Sequence, residues 1–189
     1  MYLTLIKPSD ATMDQIQQDV AAAHSFVISC FDCSQMTSGS DGRMQYHVGD
    51  SFVLVRSPEP PPKERMDSRT DLIEWKSKEE KIPRKKTIGF RMRLNAAKRT
   101  PEKKIKGIST AESREFMEEI LTSNGTEIVS LQAEDEGIRT GKHRKGKITL
   151  RSVMFSGFLN VSDHNLFETM VKKGIGRGKA WGFGMLMVK

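Results

Sequence analysis

The segment Lys173-Gly-Ile-Gly-Arg-Gly-Lys-Ala-Trp-Gly-Phe-Gly-Met-Leu-Met-Val188 carries the most informative pattern in this sequence of 189 residues. Five glycines and two cations, Arg177 and Lys179, fall between positions 174 and 184, and glycine lets a backbone approach phosphate groups closely. The segment follows a predicted helix and leads into a predicted strand, which is the reverse of the order in a Rossmann fingerprint or a P-loop. The pattern therefore excludes both nucleotide motifs and leaves two alternatives, a phosphate-binding loop or a mobile turn.

The elements that precede this loop predict a ferredoxin-like domain. Thr110 and Ser162 are each predicted to cap a helix, and Gly125 is expected to end the first of these helices. Apolar residues predict strands at 87–94, 127–132, 147–159 and 185–188. The resulting order, β-α-β-β-α-β, is that of the ferredoxin-like fold.

The first half of the chain repeats this order as far as its pattern can be followed. A strand is predicted at Tyr2–Lys7, a helix capped by Thr12 follows, and residues 43–56 form a predicted hairpin around Gly49-Asp50. Proline residues interrupt the pattern after position 57, and residues up to 86 are not assigned. We therefore predict an α+β protein with two tandem ferredoxin-like (RRM-like) domains, at 1–80 and 87–189. The duplication is inferred from element order, since no close sequence repeat is visible.

Positive charge is concentrated in blocks along the chain. There are 31 Lys and Arg residues against 24 Asp and Glu residues, a formal net charge of +7. Residues 76–106 contain 13 Lys or Arg and 3 Glu, 111–136 contain 8 acids and one Arg, and 142–151 and 172–189 each add +5. Solvated helical faces usually mix the two signs, so these blocks favour a polyanionic partner, and nucleic acid is the natural one. A purely solubilising role for the charge is the alternative.

Composition also excludes several classes of protein. No run approaches 18 apolar residues, so no membrane span is expected, and the first residues lack the regions of a signal peptide. Two cysteines, Cys30 and Cys33, are too few for a disulfide framework, which predicts a cytoplasmic protein. They also lack a second cysteine pair or a spaced histidine pair, so no zinc site is expected. We predict no metal ion and no cofactor.

The glycine-rich segment resembles the C-terminal loop of the RAMP proteins of CRISPR systems. The fuller sequence resembles the CRISPR repeat-processing endoribonucleases of the CasE type. Besides the loop, the resemblance includes Met1-Tyr-Leu, the hairpin at 43–57, Phe90-Arg-Met-Arg-Leu-Asn-Ala-Ala-Lys98, and the chain from Gly146 to the end. It covers roughly half of the chain, in matching order.

The resemblance implies a catalytic histidine. In this family the N-terminal helix carries a histidine followed seven residues later by an aromatic or apolar residue, and His24 with Phe31 fits that spacing. The family cleaves RNA without metal, by attack of a ribose 2′-hydroxyl on the adjacent phosphate. An imidazole can protonate the departing 5′-oxygen, so His24 is the candidate general acid or base. Family members often have tyrosine three residues earlier, where this chain has Ala21, which leaves open a different contact or weak cleavage.

The basic blocks supply the candidate RNA contacts. A-form stems are recognised through shape and phosphates, which suits cations on strand faces and loops. His47 is predicted to pack on the sheet, His143 to contact RNA, and His164 to be exposed. The predicted RNA-binding residues are Arg91, Arg93, Lys98, Arg99, Lys103, Lys104, Lys106, Lys142, Arg144, Lys145, Lys147, Gly176, Arg177, Gly178 and Lys179.

Three functions remain from the sequence. The resemblance implies a metal-independent endoribonuclease that cuts the CRISPR repeat hairpin of precursor crRNA and leaves a 2′,3′-cyclic phosphate. It would stay bound to the 3′ hairpin and join other subunits of a class 1 CRISPR guide complex. The second function is a catalytically inactive RNA-hairpin-binding subunit of the same complex, which Ala21 favours. A generic RRM-like RNA binder is disfavoured because the few aromatic residues occupy core-like positions.

Overall fold

The computed structural model describes residues 1–31, 43–102, 104–144 and 146–189. Lys103 and Lys145, two predicted RNA contacts, lie outside the described residues, as does Cys33. The chain forms two compact units. Unit 1 comprises Met1–Lys81, Arg139–Thr149 and Lys179–Gly182, and unit 2 comprises Ile82–Ile138, Leu150–Gly178 and Phe183–Lys189.

Unit 1 is built on a four-stranded antiparallel sheet with the strand order β2-β3-β1-β4. Its residues from 58 to 80, which the sequence pattern did not assign, supply a short helix and the edge strand that complete a β-α-β-β-α-β order. The element bounds are β1 Tyr2–Pro8, α1 Asp10–Gln18, α2 Val20–Cys30, β2 Gln45–Val48, β3 Val53–Ser57, α3 Lys63–Asp67 and β4 Leu72–Glu79.

Asp19 divides the first helical region in two. The sequence predicted one helix capped by Thr12, whereas α1 begins after Ser9 and α2 begins after Asp19. The backbone of Asp19 is extended, and its Oδ1 accepts hydrogen bonds from the Ala21 and Ala22 amides at 2.6 and 3.2 Å. These are two of the amides that a helix start leaves without partners, so the Asp19 side chain stabilises the beginning of α2.

Unit 2 has the same topology, with the antiparallel sheet order β10-β5-β9-β8. Ile88, Phe90, Met92 and Leu94 form one buried face of β5, as their alternation predicted. The helices begin one residue away from the predicted caps. Ser109 and Asp163 cap them, and Ser109 forms a capping box with Glu112. The element bounds are β5 Thr87–Asn95, β6 Ala97–Arg99, β7 Ile105–Gly107, α4 Thr110–Ser123, β8 Thr126–His143, β9 Gly146–Val161, α5 His164–Lys173 and β10 Met187–Val188.

Both sheets place the first strand of the unit between the third and the fourth, which is the ferredoxin-like arrangement. The predicted fold class, α+β with two tandem ferredoxin-like domains, is confirmed. The predicted domains were the continuous ranges 1–80 and 87–189, whereas each observed unit combines separate segments of the chain. Residues Arg139–Thr149, which we call the β8–β9 tip, and the turn Lys179–Gly182 belong to unit 1. Among the described residues, the helices are all too short or too polar to span a membrane.

A buried ion pair anchors the end of β3 in unit 1. The Nε and Nη2 atoms of Arg56 donate to the two carboxylate oxygens of Glu80 at 2.6 and 2.7 Å. The side chains are only 1% and 9% exposed. Loss of Glu80 would leave the buried Arg56 guanidinium without its carboxylate partner, which is costly in a low-dielectric interior.

We expect Glu80→Ala to lower the free energy of unfolding by about 3–5 kcal/mol, because Arg56 keeps its buried charge and loses both short hydrogen bonds. Urea denaturation followed by circular dichroism measures this change. Glu79→Ala is the matched control, since Glu79 is exposed, and it should change the free energy by no more than about 0.5 kcal/mol. Equal effects of the two variants would contradict a structural role for the ion pair.

Candidate active site and nucleic-acid interface

His24 lies in the second turn of α2 and is half-buried. Its Nδ1 atom is buried and has no hydrogen-bond partner. A buried polar nitrogen without a partner carries a desolvation cost, and such groups call for a structural or functional explanation. The helix start at Asp19 fixes this position, since His24 is five residues from the cap.

Trp181 provides an aromatic neighbour for His24. Its ring centroid lies 4.8 Å from the imidazole centroid, with an angle of 53° between the planes. Trp181 belongs to the 3₁₀ turn Lys179–Trp181 of the glycine-rich segment. The buried Tyr46 holds this turn, because its hydroxyl donates to the Ala180 carbonyl oxygen at 3.0 Å. At Gly182, which has φ 82°, a Cβ atom would lie 2.9 Å from the Tyr46 ring, so only glycine fits there.

The position of Ala21 is closely packed by backbone. Ala21 is 7% exposed. A Cβ atom at Gly141 would lie 2.6 Å from Asp19 Oδ1 and 2.8 Å from the Ala21 amide nitrogen, so the tip approaches the start of α2 at a distance that only glycine allows. The aromatic ring that contacts His24 is that of Trp181, from a different part of the sequence.

The β8–β9 tip brings a second imidazole to the same tryptophan. The His143 ring lies 5.7 Å from the Trp181 ring, edge-on at 71°. Asp19 holds the tip in place, since its Oδ2 accepts a hydrogen bond from the Lys142 amide at 3.3 Å. One carboxylate thus caps α2 through one oxygen and binds the tip through the other.

The charges that act on this site are positive. Burial lowers the pKa of His24, the Ala180 carbonyl opposes this effect, and the charges of His143 and Arg43 lower the pKa further. Burial, together with Arg43, also lowers the pKa of Lys179. We call His24, Arg43, His143 and Lys179 the His24 cluster. It favours a neutral imidazole at His24 in a positive environment that suits a phosphate group.

Four of the predicted RNA contacts belong to unit 1. Lys142, Arg144 and Lys147 are exposed on the tip, where they line a cleft of about 590 Å³ with His143. Lys179 is partly buried, in the turn that carries Trp181. The structure therefore brings these four residues and His24 into one unit.

The other described candidates belong to unit 2 and fall into two groups. Arg91 and Arg177 are exposed, and so are Lys98, Arg99, Lys104 and Lys106 on and beside the β6–β7 hairpin. Lys98 forms an ion pair with Glu112 at 2.9 Å. Arg93, by contrast, is 7% exposed, and its guanidinium donates twice to Glu136, at 2.6 and 2.9 Å. This geometry gives Arg93 a structural contact within the unit and does not support its predicted contact with RNA.

Two glycines of the C-terminal loop have a structural reason to be glycine. Gly176 and Gly178 have φ of 71° and 82°, in the left-handed region. A Cβ atom at Gly176 would lie 2.7 Å from the Leu94 side chain. Replacing either glycine would therefore strain the fold of unit 2, and RNA binding by such variants would not report on phosphate contact alone. The RNA contacts at positions 176–179 remain predictions.

The family histidine pattern pairs His24 with Phe31, which is a core residue. Phe31 is fully buried, and its carbonyl oxygen accepts from Arg65 Nη1 at 2.6 Å. Cys30 is buried beside it, and burial raises the pKa of its thiol to about 11, so the thiol is protonated at neutral pH. Phe31 therefore positions the end of α2 rather than the reactive groups.

Sequence reasoning missed the residues that surround His24. Trp181 lay within the glycine-rich segment and was visible there as an aromatic among small residues, but nothing in the sequence connected it with α2. Asp19 is a residue type that often caps helices, but continuous apolar spacing hid the helix break there, and nothing in the sequence connected Asp19 with Gly141 of the tip.

Comparison with known proteins identifies the family. Among solved structures, the CRISPR endoribonuclease Cse3 bound to a 19 nt RNA is similar to this chain, with a TM-score of 0.82, 20% identity and 100% of both chains covered. Thermus thermophilus Cse3 bound to an RNA representing a pre-cleavage complex has a TM-score of 0.78 and 20% identity, with 100% of this chain and 98% of that chain covered. A chain of a CRISPR RNA-guided surveillance complex has a TM-score of 0.67 and 20% identity, with the same coverage.

At 20% sequence identity, the similarity to these solved structures shows a shared fold. No curated protein is significantly similar to the chain in sequence. A sequence profile of the family described as CRISPR associated protein matches residues 1–189. Since this match spans the whole chain, the protein belongs to the CRISPR-associated protein family.

Proposed function

We propose that the protein is a metal-independent endoribonuclease that cuts the repeat hairpin of CRISPR precursor RNA to give mature guide RNA. The observation that carries this proposal is the half-buried imidazole of His24, whose pKa is lowered inside a positive cluster. The structural neighbours support it, since two of them are Cse3 proteins bound to RNA. The chain and its RNA would act in the cytoplasm.

In the proposed reaction the ribose 2′-oxygen attacks the adjacent phosphorus. The 2′-hydroxyl proton passes to the neutral imidazole of His24, the bond from phosphorus to the 2′-oxygen forms, and the bond to the 5′-oxygen breaks. The 5′-oxygen takes up a proton, so the products are a 2′,3′-cyclic phosphate and a 5′-hydroxyl. Burial favours the neutral form of His24, which makes it the base rather than the acid in this scheme.

The positive side chains of the His24 cluster would hold the scissile phosphate. The charge of Arg43 acts on both His24 and Lys179, and charge that develops on the phosphate oxygens is stabilised by groups already in position. The exposed cations Lys142, Arg144 and Lys147 would bind the phosphates of the stem.

The product would remain bound through its 3′ hairpin, and the protein would be a subunit of a class 1 CRISPR guide complex. The likeness to a chain of a CRISPR RNA-guided surveillance complex supports this membership. The second candidate is a non-catalytic RNA-binding subunit of the same complex, which the alanine at position 21 favours. The half-buried His24, with its lowered pKa and the Trp181 ring beside it, favours the catalytic candidate.

We expect His24→Ala to slow cleavage of the cognate repeat hairpin by about 10²–10⁴-fold, the usual contribution of a general acid or base, while hairpin affinity is nearly unchanged. Single-turnover cleavage and filter binding measure the two quantities. His164→Ala, on a helix of unit 2, is the matched control and should cleave at the wild-type rate.

Two changes of the reaction test the chemistry directly. A 2′-deoxy substitution at the cleaved position should stop the reaction, since the nucleophile is gone, whereas EDTA should leave the rate unchanged. If the wild-type protein binds its repeat but does not cut it, the non-catalytic function is correct.

We expect the apparent second-order rate constant of cleavage to fall as the pH is lowered through the pKa of His24, below 6.5. The sign follows from the base role: above this pKa the imidazole is neutral and active, and below it the imidazole is protonated and inactive. This rate constant reports groups of the free enzyme. A rate that continued to rise as the pH fell below the pKa of His24, with no decline on the acid side, would contradict the base role.

Binding of the hairpin should depend strongly on salt, because each phosphate that Lys or Arg neutralises on a duplex contributes a slope of about −0.9 to log K against log salt concentration. Lys142→Ala and Arg144→Ala should each make the slope less negative by about one contact. Affinity measured between low and moderate salt provides the slope. An affinity that barely changes in that range would contradict the proposed RNA surface.

A further inference from the structure

His24 and His143 share one tryptophan. Their rings lie 4.8 and 5.7 Å from the Trp181 ring, and the charge of His143 acts on His24. The two histidines are 119 positions apart in the sequence and come from α2 and from the β8–β9 tip. The fold therefore brings together two imidazoles, the side chain most often used as a general acid or base.

The position of His143 is fixed by its neighbours in the tip. The Lys142 amide donates to Asp19 Oδ2, and Gly141 lies against the Asp19 carboxylate and the Ala21 amide. Asp19 also caps the start of α2. The same carboxylate therefore contacts both the tip and the beginning of the helix that carries His24. An exposed side chain whose role was only to contact RNA would not require this contact between the tip and the start of α2.

Exposure differs between the two imidazoles. His24 is half-buried, whereas His143 is exposed and lines the cleft of about 590 Å³ with Gln18, Lys142 and Lys147. This volume is in the range of small-molecule sites, so a nucleotide of the substrate can reach His143. Ribonuclease chemistry needs two proton transfers, one from the 2′-hydroxyl and one to the 5′-oxygen.

We propose that His143 is the second proton-transfer residue of the reaction, and that it donates a proton to the 5′-oxygen as the bond from phosphorus to that oxygen breaks. In the same step the 2′-hydroxyl proton passes to His24. The two histidines end with exchanged protonation states, which solvent restores after product release. The inference rests on the proposed function, because it assigns a second role within that reaction.

The difference in burial supports this division of roles. Burial and the positive groups His143 and Arg43 favour the neutral form of His24, whereas His143 is exposed and can exchange a proton with solvent. The other charged groups around the pair are Lys142 and Arg144 on the tip, Lys179 on the 3₁₀ turn, and Asp19 at the start of α2. The two imidazoles thus differ in exposure, and different environments are what commonly distinguish an acid from a base that act on one substrate.

The test separates proton donation from phosphate binding. His143→Ala and His143→Lys are compared with the wild type on a repeat hairpin, and on the same hairpin with sulfur in place of the bridging 5′-oxygen at the cleaved bond. A thiolate leaves without needing a proton. We expect both variants to cut the oxygen substrate about 10²–10⁴-fold more slowly, and to cut the sulfur substrate within about tenfold of the wild-type rate.

Several measurements complete the assignment. His24→Ala should be slow on both substrates, because the sulfur does not replace a base. His143→Lys should bind the hairpin as tightly as the wild type, since it keeps a positive charge. His164→Ala should behave as wild type on both.

Each contrary result overturns the proposal. Wild-type cleavage of the oxygen substrate by His143→Lys would show that only charge is needed. Equal slowing of both substrates in His143→Ala would assign His143 to RNA binding. If the wild type and His24→Ala differ as expected but His143→Ala cuts normally, this inference alone fails. If the wild type cuts neither substrate, the proposed function fails as well.

Discussion

The carboxylate of Asp19 is the contact on which the candidate site depends. One oxygen accepts from the amides that begin α2, and the other accepts from the Lys142 amide of the tip. Because the first contact determines where α2 starts, it also determines where His24 lies along the helix. Because the second determines where the tip lies, it sets the position of His143. A hydrogen bond to an ionised group is worth about 1.5–3 kcal/mol, so these few bonds are a substantial restraint on the site.

Burial and positive charge occur together at the candidate site, and both lower the pKa of His24. Desolvation disfavours the charged imidazole, and nearby cations disfavour it further. The hydroxyl of Tyr46, which holds the Ala180 carbonyl, belongs to a phenol whose pKa burial raises well above its usual value, so it remains a neutral donor at any pH at which the protein works. The turn with Trp181 is therefore supported by a contact that does not titrate.

Much of the fold could be predicted from the sequence, whereas the surroundings of His24 could not. The buried face of Ile88, Phe90, Met92 and Leu94 follows from alternation alone, and the element order then specifies the topology. The break at Asp19 was hidden because apolar residues keep helical spacing through it. Arg93 alternates toward the other face of β5, yet its partner Glu136 lies 43 positions away, and no local pattern reveals such a pair. The assignment of His24 came from family resemblance, and its catalytic role stays a proposal.

Unit 1 takes its parts from three separate stretches of the chain, and the last of them, Lys179–Gly182, lies close to the C-terminus. On the ribosome, residues up to 81 are made long before Trp181, and at about 5–20 residues per second the delay is roughly 5 to 20 s. During that time the first segment of unit 1 lacks the turn that flanks His24. A chain that lacks its last dozen residues would therefore lack Trp181 and the Ala180 carbonyl beside His24, so under the proposed function incomplete copies would not cut RNA.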